Sequence, residues 1–227
     1  MGRIVALLAS GALAGGGLWA QGTGDNYQGA TVLRAGGIQF PANSSVAGLV
    51  TLRVRVNGTG AVQEVANVGD LPPLTAAAKE GVKNWTFAAA MKGGSPVEGE
   101  LRIYVVFNPF NPADVSIPTP PPAPVQAPSG AKDEEVFRPA EAQKATYAVY
   151  PANTVASGTV ALDVRVGADG SLAGVKVLGG EAGIPLSGAA TRAIRGWAFA
   201  PGSYSGKAAA TRVVVAFVFA SPAQGTQ

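Results

Sequence analysis

The chain spells one stretch twice. "FPANSSVAG" at Phe40–Gly48 returns as "YPANTVASG" at Tyr150–Gly158, and the residues after each stretch keep step. "GLVTLRVRVNGTGAV" runs beside "GTVALDVRVGADGSL", so Val50, Leu52, Val54 and Val56 match Val160, Leu162, Val164 and Val166. After a two-residue difference in length, Trp85-Thr86-Phe87 matches Trp197-Ala198-Phe199. Landmarks kept in one order, twice, identify a duplication. That constrains the fold, because a unit of roughly 75 residues is only marginally stable alone. The copies are expected to pack together or share partners.

The periodicities within a copy specify its elements. Val160, Leu162, Val164 and Val166 alternate with Thr159, Ala161, Asp163 and Arg165, which reads as a strand with one buried face. Asp169-Gly170 supplies a tight turn. The next strand carries Leu172, then Val175 and Val177, and its partner copy carries Val62, then Val65. That break in parity predicts a β-bulge near Gly174 and near Glu64. A helix comes next: Leu186, Ala189, Ala190, Ala193, Ile194 and Trp197 form one apolar stripe, as do Leu74, Ala77, Ala78, Val82 and Trp85. Lys79, Lys83, Arg192 and Arg195 stay on the solvent side, and Pro73 and Pro185 suit a first turn. "ELRIYVVF" (100–107) and "TRVVVAFVF" (211–219) are the closing strands. The predicted class is α+β: two small domains, each a three-stranded antiparallel sheet covered by one helix, in the order lead-in segment-β-β-α-β. Trp85 and Trp197 are expected as core anchors, and Phe40 and Tyr150 as rings that fix where the chain joins each unit.

Between the copies lies "NPFNPADVSIPTPPPAPVQAPSG", whose prolines fix φ and remove donors, favouring an extended spacer. "KDEEVFRPAEAQK" after it reads as a short helix or irregular chain. At the start, "MGR" and the apolar "IVALLASGALAGGGLW" lead to Ala20, the layout of a cleavable secretory signal. Uncleaved, the same run would anchor the protein in the inner membrane, although it is shorter than the roughly 20 residues of a full span. The expected organisation is a signal at 1–20, a short lead at 21–37, repeat one at 38–108, a proline-rich linker at 109–145, repeat two at 146–221 and a polar tail at 222–227.

Composition narrows the chemistry. With no Cys and no His, thiol nucleophiles, imidazole bases, disulfides and Cys/His zinc sites are out of reach. The net charge of +3 is spread along the chain rather than gathered in a stripe, so a nucleic-acid partner is not expected. No nucleophile elbow, paired carboxylates or phosphate-cradling glycine loop stands out. Neither catalysis nor a cofactor nor a metal is expected.

An aromatic residue followed by Pro, a Gly before an alternating strand, a turn, a small-residue helix and Trp-x-Phe before a last strand: this order is similar to the C-terminal domain of TonB. The resemblance covers almost all of repeat two, and repeat one resembles a diverged copy, with "NGTG" at its turn. It implies a periplasmic domain that pairs a short segment of an outer-membrane transporter onto an exposed strand edge and relays force from an inner-membrane motor. The implied edge is the closing strand, with Leu101, Ile103, Val105 and Phe107 in one copy and Val213, Val215, Phe217 and Phe219 in the other. Arg55 and Arg165, at matching outward positions, are candidate contacts for a partner's acidic groups. The implied partners are segments of transporters or other envelope proteins. The alternative is a passive scaffold whose repeats pair with each other, without transport coupling. Two departures bear on the motor: the chain has no histidine to engage one, and its proline-rich stretch lies between domains rather than behind an anchor.

Overall fold

Each copy folds through the same nine elements in the computed structural model, which describes residues 27–42, 44, 46–108, 116–117, 136–152, 154–179 and 183–220. The first copy runs β1 (Tyr27–Gln28), β2 (Thr31–Arg34), β3 (Gly48–Val56), β4 (Val62–Val68), α1 (Leu74–Lys83), β5 (Thr86–Ala88), β6 (Ala90–Lys92), β7 (Ser95–Val97) and β8 (Gly99–Asn108). The connecting stretch adds β9 (Ser116–Ile117). The second copy runs β10 (Phe137–Arg138), β11 (Glu141–Thr146), β12 (Gly158–Val166), β13 (Leu172–Gly179) and α2 (Ile184–Ile194). It closes with β14 (Ala198–Ala200), β15 (Gly202–Tyr204), β16 (Lys207–Ala209) and β17 (Thr211–Phe219). The expected signal at 1–20, the polyproline core of the linker and the polar tail lie outside the described residues. No helix among the described residues is long and apolar enough to cross a membrane.

Local chemistry explains the hairpins. In the first, Asn57 Oδ1 accepts from the Thr59 and Ala61 N–H groups, both at 2.9 Å. In the second, Asp169 Oδ1 accepts from Ser171 N at 3.0 Å and its hydroxyl at 2.6 Å. Both turns end on a glycine with φ +83°, Gly60 and Gly170, each packed against the carbonyl of Phe87 or Phe199. A side chain there would meet both a left-handed backbone and a blocked space. The bulges fall where parity breaks: the register shifts at Arg55/Val56 opposite Glu64 and Val62, and at Arg165/Val166 opposite Gly174 and Leu172. Trp85 and Trp197 are core residues, at 4% and 6% exposure. Each indole also donates to a lead-in carbonyl, Trp85 Nε1 to Gly36 O at 3.1 Å and Trp197 Nε1 to Thr146 O at 3.2 Å. Phe40 meets Phe107 edge-on at 5.6 Å, and Tyr150 meets Phe219 at 5.8 Å.

The two three-stranded domains do not stand apart. β4-β3-β8 and β13-β12-β17 are antiparallel as expected, but β8 and β17 lie side by side, and the six strands form one sheet in the order β13-β12-β17-β8-β3-β4. The join is parallel, with Ile103 beside Val214 and Phe107 beside Val218. Corresponding residues are therefore offset by one position, since Ile103 corresponds to Val215. Side chains alternate along a strand, so a one-residue offset turns the two apolar faces in opposite directions. One face gathers Leu52, Val54, Ile103 and Phe107 under α1, joined by Val214, Ala216 and Val218 of the other copy. The opposite face gathers Leu162, Val164, Val215 and Phe217 under α2, joined by Leu49, Tyr104 and Val106.

The expected lead and linker boundaries also move. Within 21–37, β2 pairs with β5, placing Val32 beside Phe87. Within 109–145, β11 pairs with β14 and with β9, burying Ile117 and Ala145. "EAQKAT" has little intrinsic strand preference, and the exposed backbone of the Trp-x-Phe strand recruits it.

Candidate protein-interaction edges

A strand accepts a partner's backbone only where its own peptide groups are unpaired. β8 is hydrogen-bonded to β3 on one side and β17 on the other, and β17 to β12 and β8. The closing strands are thus the two innermost strands of the sheet, which corrects the expectation of free edges there. Leu101, Ile103, Val105 and Phe107 are packed on the α1 face, and Val213, Val215, Phe217 and Phe219 on the α2 face, none above 2% exposed. The signal was present in the residues. "RIYVVF" and "VVVAFVF" are apolar at both parities, as befits a strand covered on both faces, whereas β3 and β12 alternate over their second halves.

The two arginines differ. Arg55 is engaged inside its own repeat, with Glu64 at 2.9 Å and Glu98 at 3.8 Å. Arg165 lies half-buried on β12, across from Gly174 on β13 and Arg212 on β17.

Polar side chains, none singled out by the sequence, clasp the two copies. Arg102, 4% exposed, reaches Glu141 of β11 at 2.9 Å. Tyr104 OH accepts from Ala142 N at 2.8 Å and donates to Ala140 O at 3.4 Å, and burial raises its pKa. Asn108 Oδ1 accepts from Ala148 N at 2.7 Å while its amide donates to Ala148 O at 3.0 Å. In the reverse direction, Thr159 Oγ1 accepts from Ile38 N at 2.8 Å and donates to Ile38 O at 3.1 Å. Tyr27 stacks on Tyr204 of the other copy at 4.9 Å and against Phe137 at 5.1 Å. Burial first, and then the neighbouring Tyr204 and Glu100, push its pKa up to about 12.

Among the described residues, the outer strands of the large sheet are β4 and β13, each paired on one side only. β4 carries Gln63 and Glu64 exposed. β13 exposes Ala173, Lys176 and Val177, with Ile184 at the start of α2 exposed as well. Where β4 ends, a half-open recess of about 320 Å³ lies between the copies, with Leu49, Leu71, Ile117 and Tyr147 on its walls and Asp70 at its lining. Desolvation raises the Tyr147 pKa.

The family model for the Gram-negative bacterial TonB protein C-terminal matches the chain twice, over residues 42–109 and 143–220. No curated protein and no solved structure matches it. The two matched segments span well over half of the 227 residues and coincide with the duplicated β-β-α-β series. The chain belongs to the TonB C-terminal family and carries two tandem copies of its domain.

Proposed function

We propose that the protein is a periplasmic interaction module whose repeats pair with each other, and that extended segments of other envelope proteins add to its outer strands. The family's domain is a non-enzymatic protein-interaction domain of the cell envelope. One observation carries the reading: among the described residues β4 and β13 are each hydrogen-bonded on one side only, leaving two backbone templates for strand addition. Periplasmic segments of outer-membrane transporters are the first partners to test. Residues 1–20 supply the export signal in this reading.

The test is a pull-down with transporter N-terminal peptides, using variants made in adjacent pairs: Val65→Pro with Ala66→Pro, and Val175→Pro with Lys176→Pro. Neighbouring residues in a strand point their N–H groups to opposite sides, so one member of each pair removes an outward donor while sparing the sheet. Loss of binding in a variant that still folds is the expected result. Binding that survives in every folded variant rules out the outer strands.

The second reading, a scaffold with no transport coupling, is favoured by the β8–β17 join, which occupies the strands a transporter segment would use in the family. It requires that no transporter peptide binds at any concentration reached, while a different envelope protein does.

A further inference from the structure

β3 is longer than its outer neighbour. It pairs with β8 from Gly48 to Val56, but with β4 only from Thr51 to Val56, because Gly69, with φ +73°, turns the chain off the sheet after Val68. Gly48, Leu49 and Val50 are buried and lie beyond the end of the β4 pairing; backbone groups alternate sides along a strand, so it is Leu49 whose N–H and C=O turn to the side that β4 leaves open. Buried backbone groups are almost always paired, so the open N–H and C=O of Leu49 call for a partner. The same three residues line the recess, whose other walls set apolar Val68, Leu71 and Ile117 beside polar Asp70, Thr75 and Tyr147. Asp70 stands exposed at this recess and makes no ion pair or hydrogen bond among the described residues. Corresponding positions in repeat two differ: there Thr159 spends its hydroxyl on Ile38, and Leu49 has no such group to offer. The walls come from repeat one together with Ile117 and Tyr147, so the recess exists only when the copies are joined.

We propose that this recess is a socket for an extended segment of an envelope protein that presents a bulky apolar side chain next to a lysine or arginine. The segment's backbone continues the line of β4 along Gly48–Val50. Its apolar side chain fills the recess against Leu49, Leu71 and Ile117, and its cation meets Asp70. This combines the two parts of strand-addition recognition, a backbone template and a side-chain pocket. It rests on the interaction-module reading and narrows it to one place and one partner chemistry.

The experiment selects random octapeptides, displayed on phage, against the full chain, then titrates the synthetic winners by fluorescence anisotropy and maps them by backbone amide shifts. Winners with an adjacent apolar and basic pair, shifting amides at 47–50 and 68–71, are expected. Asp70→Lys should weaken them at least tenfold with thermal stability unchanged, and Ala47→Trp, which fills the recess, should do the same. Lys176→Glu on the far edge should leave their affinity alone. Winners without a basic residue, affinity retained in Asp70→Lys, shifts confined to β13, or a selection that enriches nothing would each overturn the socket. Shifts on β13 would leave the interaction-module reading standing. Failure of both the library and the transporter peptides would remove the two together.

Discussion

Set side by side, Arg102, Tyr104 and Asn108 of the first repeat correspond to Val214, Ala216 and Ala220 of the second, while Leu49 corresponds to Thr159. The skeleton around these positions is the same in both copies: the same hairpins, bulges, helix and indole hydrogen bond. The polar groups that cross between copies are not. Repeat one sends three side chains from its closing strand to the lead-in of repeat two, and receives one hydroxyl in return. Tyr104 even completes the other copy's aromatic cluster, edge-on to Trp197 at 5.9 Å. What is shared between the copies makes the fold, and what differs makes the join. The repeats have divided a task that two identical domains would have to perform symmetrically.

The sharpest way to break that division is Val215→Pro. Val215 sits between Leu162 and Tyr104 in the sheet interior, where proline removes a ladder bond and clashes. We expect loss of the folded state, at least about 3 kcal/mol, read by circular dichroism in denaturant. A folded, cooperative Val215→Pro protein would refute the central position of β17. Next in size is Glu141→Ala, which strands the Arg102 guanidinium in the interior at a cost of about 3 kcal/mol. The double replacement Arg102→Met with Glu141→Met should recover most of that loss. If it does not, the pair contributes through more than its charges.

Smaller effects sharpen the asymmetry. Thr159→Val and Asn108→Leu each orphan one buried N–H and one C=O, so each should cost about 2 kcal/mol. The corresponding changes Leu49→Val and Ala220→Gly break no such bond, and equal losses at all four positions would deny the division of roles. The mildest prediction concerns pH. Tyr27 is neutral when protonated, and its folded pKa of about 12 lies above the unfolded value near 10. Its contribution is therefore complete below pH 10 and is lost as pH rises from there through about 12. Tyr27→Phe should flatten the decline in stability over that window, measured by urea unfolding at a series of alkaline pH values.

Much of one repeat was legible because its signals are local. Val160 to Val166 alternate, Leu186 to Trp197 keep helical spacing, and the skipped residues Gln63 and Ala173 announce bulges. The join was not legible by the same means. The both-faced apolarity of Tyr104, Val105, Val106 and Phe107 marks β8 as covered on two sides, whereas the family resemblance implies a free edge there. Strands such as Glu141–Thr146 carry no pattern of their own, since β5 and β14 supply the backbone that orders their partners. The recess could not be foreseen either. It depends on a difference in length between two paired strands, which comes from where Gly69 turns the chain.

The parallel join has a consequence for how the protein could be taken apart. β9 belongs by sequence to the end of the first half, yet it pairs with β11 of the second. A cut between Ile117 and Val136 would therefore yield two fragments in which the first keeps an arm laid across the second. Each fragment would also hold one of the two central strands. The molecule is in this sense a heterodimer written on one chain, with its subunits already told apart by Arg102, Tyr104, Asn108 and Thr159. Its halves, expressed separately, should find each other in preference to a second copy of themselves.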